Sequence, residues 1–131
     1  MTICTDARRC LFGSVRDTFD NGEMVLNDIG WIVSHHINGL NDRYSSVSVD
    51  KYVIMPNHIH MILELDNDNQ IPLTQIIGLL KSGISREIGF KVWQRSFHDH
   101  IIRNETDYIN IWNYIEHNPA GWAMDRYYNQ S

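Results

Sequence analysis

Hydrophobic and polar positions along this chain follow two periods, one of about two residues and one of about 3.6. The clearest strand signal covers residues 47–65. Val47, Val49, Tyr52, Val53, Ile54 and Met55 lead into Pro56 and Asn57, and Ile59, Met61, Ile62 and Leu63 follow. β-Formers on both sides of a Pro-Asn pair predict strand, tight turn, strand over Val47–Met55 and His58–Leu65. Both runs are apolar almost without alternation, which predicts a central pair covered on both faces.

Helical spacing occurs three times. Ile29, Ile32, Val33 and Ile37 predict a helix over about 29–40, with Asn27 or Asp28 as cap and Gly39 and Asn41 at its end. Ile76, Ile77, Leu80 and Ile84 predict a second over Leu73–Ile88. A third runs over Glu105–His117, after Asn104 and before the Asn118-Pro119 break. Thr2, Ile3 and Thr5 predict a strand over 1–5, and the Asn21-Gly22 pair a hairpin of Cys10–Val15 and Glu23–Leu26. Trp93, Phe97 and Ile101 alternate loosely with Arg95, Asp99 and Arg103, which predicts a strand over Val92–Ile102. The order predicts one domain over residues 1–131. Its class is α+β, a ferredoxin-like antiparallel sheet with helices packed on one face.

Composition narrows the function classes. The chain has 131 residues, 43% of them hydrophobic and 21% charged, as in an ordinary globule. No run approaches the roughly 20 apolar residues of a membrane span, and the first residues lack a signal-peptide core. Cys4 and Cys10 have no metal-site spacing and read as reduced thiols of a cytoplasmic protein. The net charge of −5 argues against indiscriminate nucleic-acid binding. Residues 80–103 are the exception, with Lys81, Arg86, Lys91, Arg95 and Arg103 against Glu87 and Asp99. A basic band is commonly a solvated face; it is also where a phosphate chain would lie.

The candidate chemistry sits on the second strand. His58 and His60 flank Ile59, so the two imidazoles share one face and can hold a divalent metal between them. On the third helix Tyr108, Ile111, Trp112 and Ile115 form an apolar stripe. Tyr114 and Asn118 fall about 240° and 280° round from Tyr108, on its shoulder. The Asn118 oxygen would complete a site with His58 and His60, and Tyr114 would aim its phenol at a phosphate bound there. Nitrogen and amide ligands that leave positions open suit Mg²⁺ or Mn²⁺ better than a closed zinc site. Competing readings stand beside this one: Tyr114 as a packing residue, Asn118 as a helix cap before Pro119, and His98 and His100 as a rival metal pair. Lys81, Lys91, Arg95 and Arg103 could follow DNA phosphates while Trp93 and Phe97 stack on bases, or the two aromatics could be core.

The stretch MPNHIH resembles the HUH motif of single-tyrosine transposases. With TICTDARRCLFG, VWQRSFHDHIIRN and YIEHNPAGW in order around it, nearly the whole chain resembles the REP-associated tyrosine transposases. The resemblance implies His58, His60 and Asn118 as metal ligands and Tyr114 as nucleophile. It also implies cleavage of single-stranded DNA near hairpins of repetitive extragenic palindromes, with a 5′-phosphotyrosine intermediate. The setting implied is a prokaryotic, nucleoid-associated one. The resemblance implies either state: transposing relatives are homodimers with shared sites, and domesticated ones can be monomers. Family members are usually basic with a basic lead-in; this chain is acidic and starts in its first strand. A domesticated protein that holds hairpin DNA without cutting is the alternative.

Overall fold

The computed structural model describes residues 1–17, 22–125 and 127–128. Strands β1 (Thr2–Cys4), β4 (Val47–Met55) and β5 (His58–Leu65) form an antiparallel sheet of order β1-β5-β4. A separate antiparallel pair, β2 (Gly13–Asp17) and β3 (Gly22–Leu26), precedes helix α1 (Asp28–Asn38) and the single turn α2 (Leu40–Arg43). Helices α3 (Leu73–Ile88) and α4 (Glu105–Glu116) follow the sheet.

The β4–β5 hairpin and α3 have the boundaries that their patterns predict. Asn27 caps α1 by accepting from the Gly30 N–H at 2.9 Å, and Asn104 caps α4 through the Asp107 N–H at 2.8 Å. Alternation along β5 sends Ile59 and Met61 to one face, where they join Ile3, Ile54, Val33 and Ile37 of α1, and Ile76, Ile77, Leu80 and Ile84 of α3.

Four expectations are corrected. The first concerns helix placement: α1 and α3 cover one face of the ferredoxin-like sheet, but α4 lies against the other. Lys51 stands opposite Ile62, on the face of His58 and His60, and its ammonium pairs with Glu116 and sits 4.1 Å from the Trp112 ring centroid. The first face is already filled by α1 and α3, so the last helix takes the free one.

The second concerns residues 92–102, which form no strand. They meet β1 only at isolated bridges, Thr5 with Trp93 and Thr2 with His98. Five residue steps on this segment face three on β1, so a regular ladder cannot form. The surplus is held from outside, where Lys81 Nζ donates to the carbonyls of Gln94 and Arg95 at 2.7 and 3.2 Å. The segment still occupies the edge beside β1, the place of the fourth strand in a ferredoxin-like sheet.

The third concerns the hairpin, whose first strand starts at Gly13 rather than Cys10. Phe12 is drawn into the core, its N–H donating to the Pro56 carbonyl and its own carbonyl accepting from Asn27 N–H, so neither group is left for the hairpin ladder. Asn21 of the expected turn lies outside the described residues. The fourth is minor: α1 closes at Asn38, and the chain makes the extra turn α2 beyond Gly39.

Ile59 is fully buried between β1, β4 and the two helices. Ile59→Ala is expected to lower unfolding stability by about 2–5 kcal/mol, read from the midpoint of a denaturant titration at unchanged slope.

Candidate functional site

The tight turn at Pro56 and Asn57 carries the site. Both turn carbonyls are capped, Pro56 O by Phe12 N–H at 3.1 Å and Asn57 O by Thr5 N–H at 2.9 Å. This fixes the start of β5, and with it His58 and His60. The two imidazoles lie on one face with ring centroids 4.6 Å apart, and they are 0% and 4% exposed. They stand in a small second core of Cys4, Met55, Trp122 and Tyr127. The face is dry, as the doubly apolar strands predict.

Each imidazole is held through Nδ1. His60 Nδ1 is 2.8 Å from the hydroxyl of Thr2, its partner across the β1–β5 ladder. His58 Nδ1 is 2.8 Å from Oδ1 of Asn57. The Tyr127 ring packs on His58 at 4.6 Å and lies 6.1 Å from His60.

Helix α4 brings Tyr114 to this face. Its ring meets His60 edge-on with centroids 5.1 Å apart, and it is 49% exposed. One turn on, Asn118 is buried. Its Nδ2 donates to Asp125 Oδ2 at 3.3 Å, and its Oδ1 is buried with no hydrogen-bond partner among the described residues. Lys51 fixes the angle of α4 through Glu116 and Trp112. It holds the Glu116 carboxyl below its ordinary pKa, first by hydrogen bond and then by charge. That contribution is present above the unfolded-state carboxyl pKa and is lost as pH falls through the lowered folded value.

Asp125 was not legible as a site residue. Its carboxylate, His58 and His60 offer ligand atoms that lie within 4.8 Å of one another. It follows the Asn118-Pro119 break, where neither strand nor helix period extends, and an acidic residue beside aromatics is the only signal available. The donor set fits a divalent cation. Two imidazoles and a carboxylate converge, and the buried amide oxygen of Asn118 would otherwise leave a desolvation cost of about 1–3 kcal/mol uncompensated.

The other candidates are dispersed. Lys81, Lys91 and Arg95 line one shallow hollow with Trp93 and Gln94. Lys91 and Arg95 are exposed there, Lys91 Nζ being 3.9 Å from Asp6 Oδ1. The Lys81 ammonium is instead bound to two carbonyls, and burial lowers its pKa. Arg103 is exposed, just before the α4 cap, and does not line that hollow. Trp93 is core, 4% exposed and 5.4 Å from the Phe12 ring, and half-buried Phe97 packs on the same cluster. His98 and His100 do not share a strand face, because no strand forms. Both are exposed, and His100 Nε2 pairs with Asp107 at 2.8 Å.

The chain has relatives among known proteins. No family model matches the chain. An uncharacterised protein of Haemophilus influenzae is 34% identical over 154 aligned residues, covering 98% of this chain and 83% of that protein. A second Haemophilus influenzae protein, named "Putative REP-associated tyrosine transposase", is 30% identical over 83 residues, covering 51% of this chain and 46% of its own length. The solved structure of a REP-associated tyrosine transposase bound to a REP hairpin superposes with a TM-score of 0.67 at 22% identity, over 90% of this chain and 63% of that one. The chain belongs to one family with the first protein and is related to the REP-associated tyrosine transposases. The matched region spans about half of the named relative and under two thirds of the solved chain. The shared fold is of the HUH type, and among the described residues no helix is long and apolar enough to cross a membrane.

Lys81 anchors the looped-out residues 94 and 95. Lys81→Met is expected to lower stability by about 1.5–3 kcal/mol, the range for hydrogen bonds to a charged group. The loss is read from the midpoint of a denaturant titration beside the parent protein.

Proposed function

We propose that this chain is a divalent-metal-dependent endonuclease and strand transferase for single-stranded DNA, acting at repetitive extragenic palindromic hairpins, with Tyr114 as nucleophile. The observation that carries the reading is the half-exposed Tyr114 ring standing 5.1 Å from buried His60. The fold shared with a transposase that binds a REP hairpin supports the substrate class.

His58 and His60 would hold the cation, with Asn118 Oδ1 and the Asp125 carboxylate as oxygen donors. Mg²⁺ or Mn²⁺, when bound, supplies Lewis-acid stabilisation of the charge that develops on the phosphodiester. The protein's own part is nucleophilic. The Tyr114 phenol, whose ordinary pKa is about 10, loses its proton as Oη bonds to phosphorus. The bond from phosphorus to the 3′ oxygen breaks, and that oxygen takes up a proton. The products are a 5′-phosphotyrosine and a free 3′-hydroxyl. The ester conserves the bond energy, so a 3′-hydroxyl can reverse the step and join strands.

The dryness of the site favours a second reading. Both imidazoles are covered, with Tyr127 packed on His58, which suits a domesticated protein that grips a hairpin without cutting it.

A labelled single-stranded hairpin run on a denaturing gel separates the two. Covalent adduct is expected with Mn²⁺ or Mg²⁺, none after chelation, and none for Tyr114→Phe at undiminished hairpin affinity. An adduct at full yield in Tyr114→Phe removes the nucleophile. Hairpin affinity with no adduct from the parent protein in either metal selects the second reading.

Phosphate tracking makes a separate, quantitative statement. Lys91→Ala, Arg95→Ala and Arg103→Ala are each expected to reduce the slope of log affinity against log salt by about one, with little change in sequence preference.

A further inference from the structure

The Asn57 side chain is almost wholly buried, 1% exposed, and sits at the centre of three hydrogen bonds. Its Nδ2 faces the carbonyl oxygen of Tyr127 at 2.7 Å and that of Arg8 at 3.3 Å. Its Oδ1 faces His58 Nδ1 at 2.8 Å. A carbonyl oxygen only accepts, so the two carbonyls demand an NH₂ group on their side. Turning the amide over would set its oxygen against both of them. The orientation is therefore determined, and the atom facing His58 is an acceptor. The neutral imidazole must answer with a proton on Nδ1, which leaves the lone pair on Nε2.

We infer that Asn57 is a positioning residue: through Oδ1 it holds His58 in the Nδ1–H tautomer, so that Nε2 is the nitrogen available to a cation. Through Nδ2 the same amide ties the residue 127 backbone, and with it the ring that packs on His58, to the loop carrying Arg8. The inference rests on the metal reading above for its use, but not for its test. In sequence Asn57 is simply the second residue of a Pro-Asn turn. Its side chain acquires this role because residues 8 and 127, far off in sequence, place their carbonyls beside it.

The two functions of the amide can be separated by substitution. Asn57→Ala and Asn57→Asp both lose the donors to Tyr127 and Arg8, but only Asn57→Asp keeps an acceptor beside Nδ1. Long-range ¹H–¹⁵N spectra of metal-free protein labelled at histidine report the tautomer directly, with His58 assigned by its loss in His58→Gln. The Nδ1–H form is expected in the parent protein and in Asn57→Asp, and a tautomer mixture in Asn57→Ala. Mn²⁺ titration followed by electron paramagnetic resonance should show Asn57→Ala weaker by about 10- to 100-fold, with Asn57→Asp within a few-fold of the parent. An Nε2–H tautomer at His58 in the parent protein overturns the inference, as does an Asn57→Ala protein that keeps both the pure tautomer and full Mn²⁺ affinity. If the parent binds no Mn²⁺, the metal reading falls, and the tautomer spectra still decide the role of Asn57.

Discussion

β5 is hydrogen-bonded along both edges, to β1 and to β4, and this double pairing constrains the rest of the molecule. One face of the strand supplies Ile59 and Met61 to the main core, and the other supplies His58 and His60 to the site. A slip of one residue in either ladder would exchange the two sets, placing imidazoles among Val33, Ile76 and Ile84. The cost of burying unsatisfied imidazoles in an apolar core therefore guards the geometry of the site. Core packing and the pairing of the two imidazoles share one register.

The second face is built differently. It is a small apolar cluster in which a few polar groups meet one another. Thr2 answers His60, Asn57 answers His58, and Asp125 takes hydrogen bonds from Asn118 and from the Tyr127 backbone. In such surroundings each hydrogen bond is strong and each mismatch costly, so the side chains have few alternative arrangements. That rigidity suits a site in which ligand atoms must converge to within a few ångströms. Tyr114 is the exception, half-exposed at the rim of this cluster.

Charge tells a more restrained story. The chain carries five more acidic than basic side chains, and several of its cations are engaged in building the protein. Lys81 holds residues 94 and 95, Lys51 holds α4, and the Arg9 guanidinium donates to the Lys91 carbonyl at 2.9 Å. The charge left unengaged is concentrated in a few exposed residues of the basic band, among them Arg95 and Arg103. The chain therefore presents no broad positive field.

Local pattern alone determined the β4–β5 hairpin, α3, and the shared face of His58 and His60. Each of these depends on neighbours within a few residues, through strand alternation or helical spacing, and such signals need no knowledge of the rest of the chain. Tertiary structure decided what depends on residues distant in sequence. Residues 92–102 fail as a strand because five of their steps face three on the first-strand segment and Lys81 captures the carbonyls of residues 94 and 95. α4 takes the second face because the first is full. Asp125 and Asn57 enter the site because a segment beyond the last helix folds back over the turn. No period runs through those contacts, so they exist only once distant backbone groups have been brought within hydrogen-bonding range.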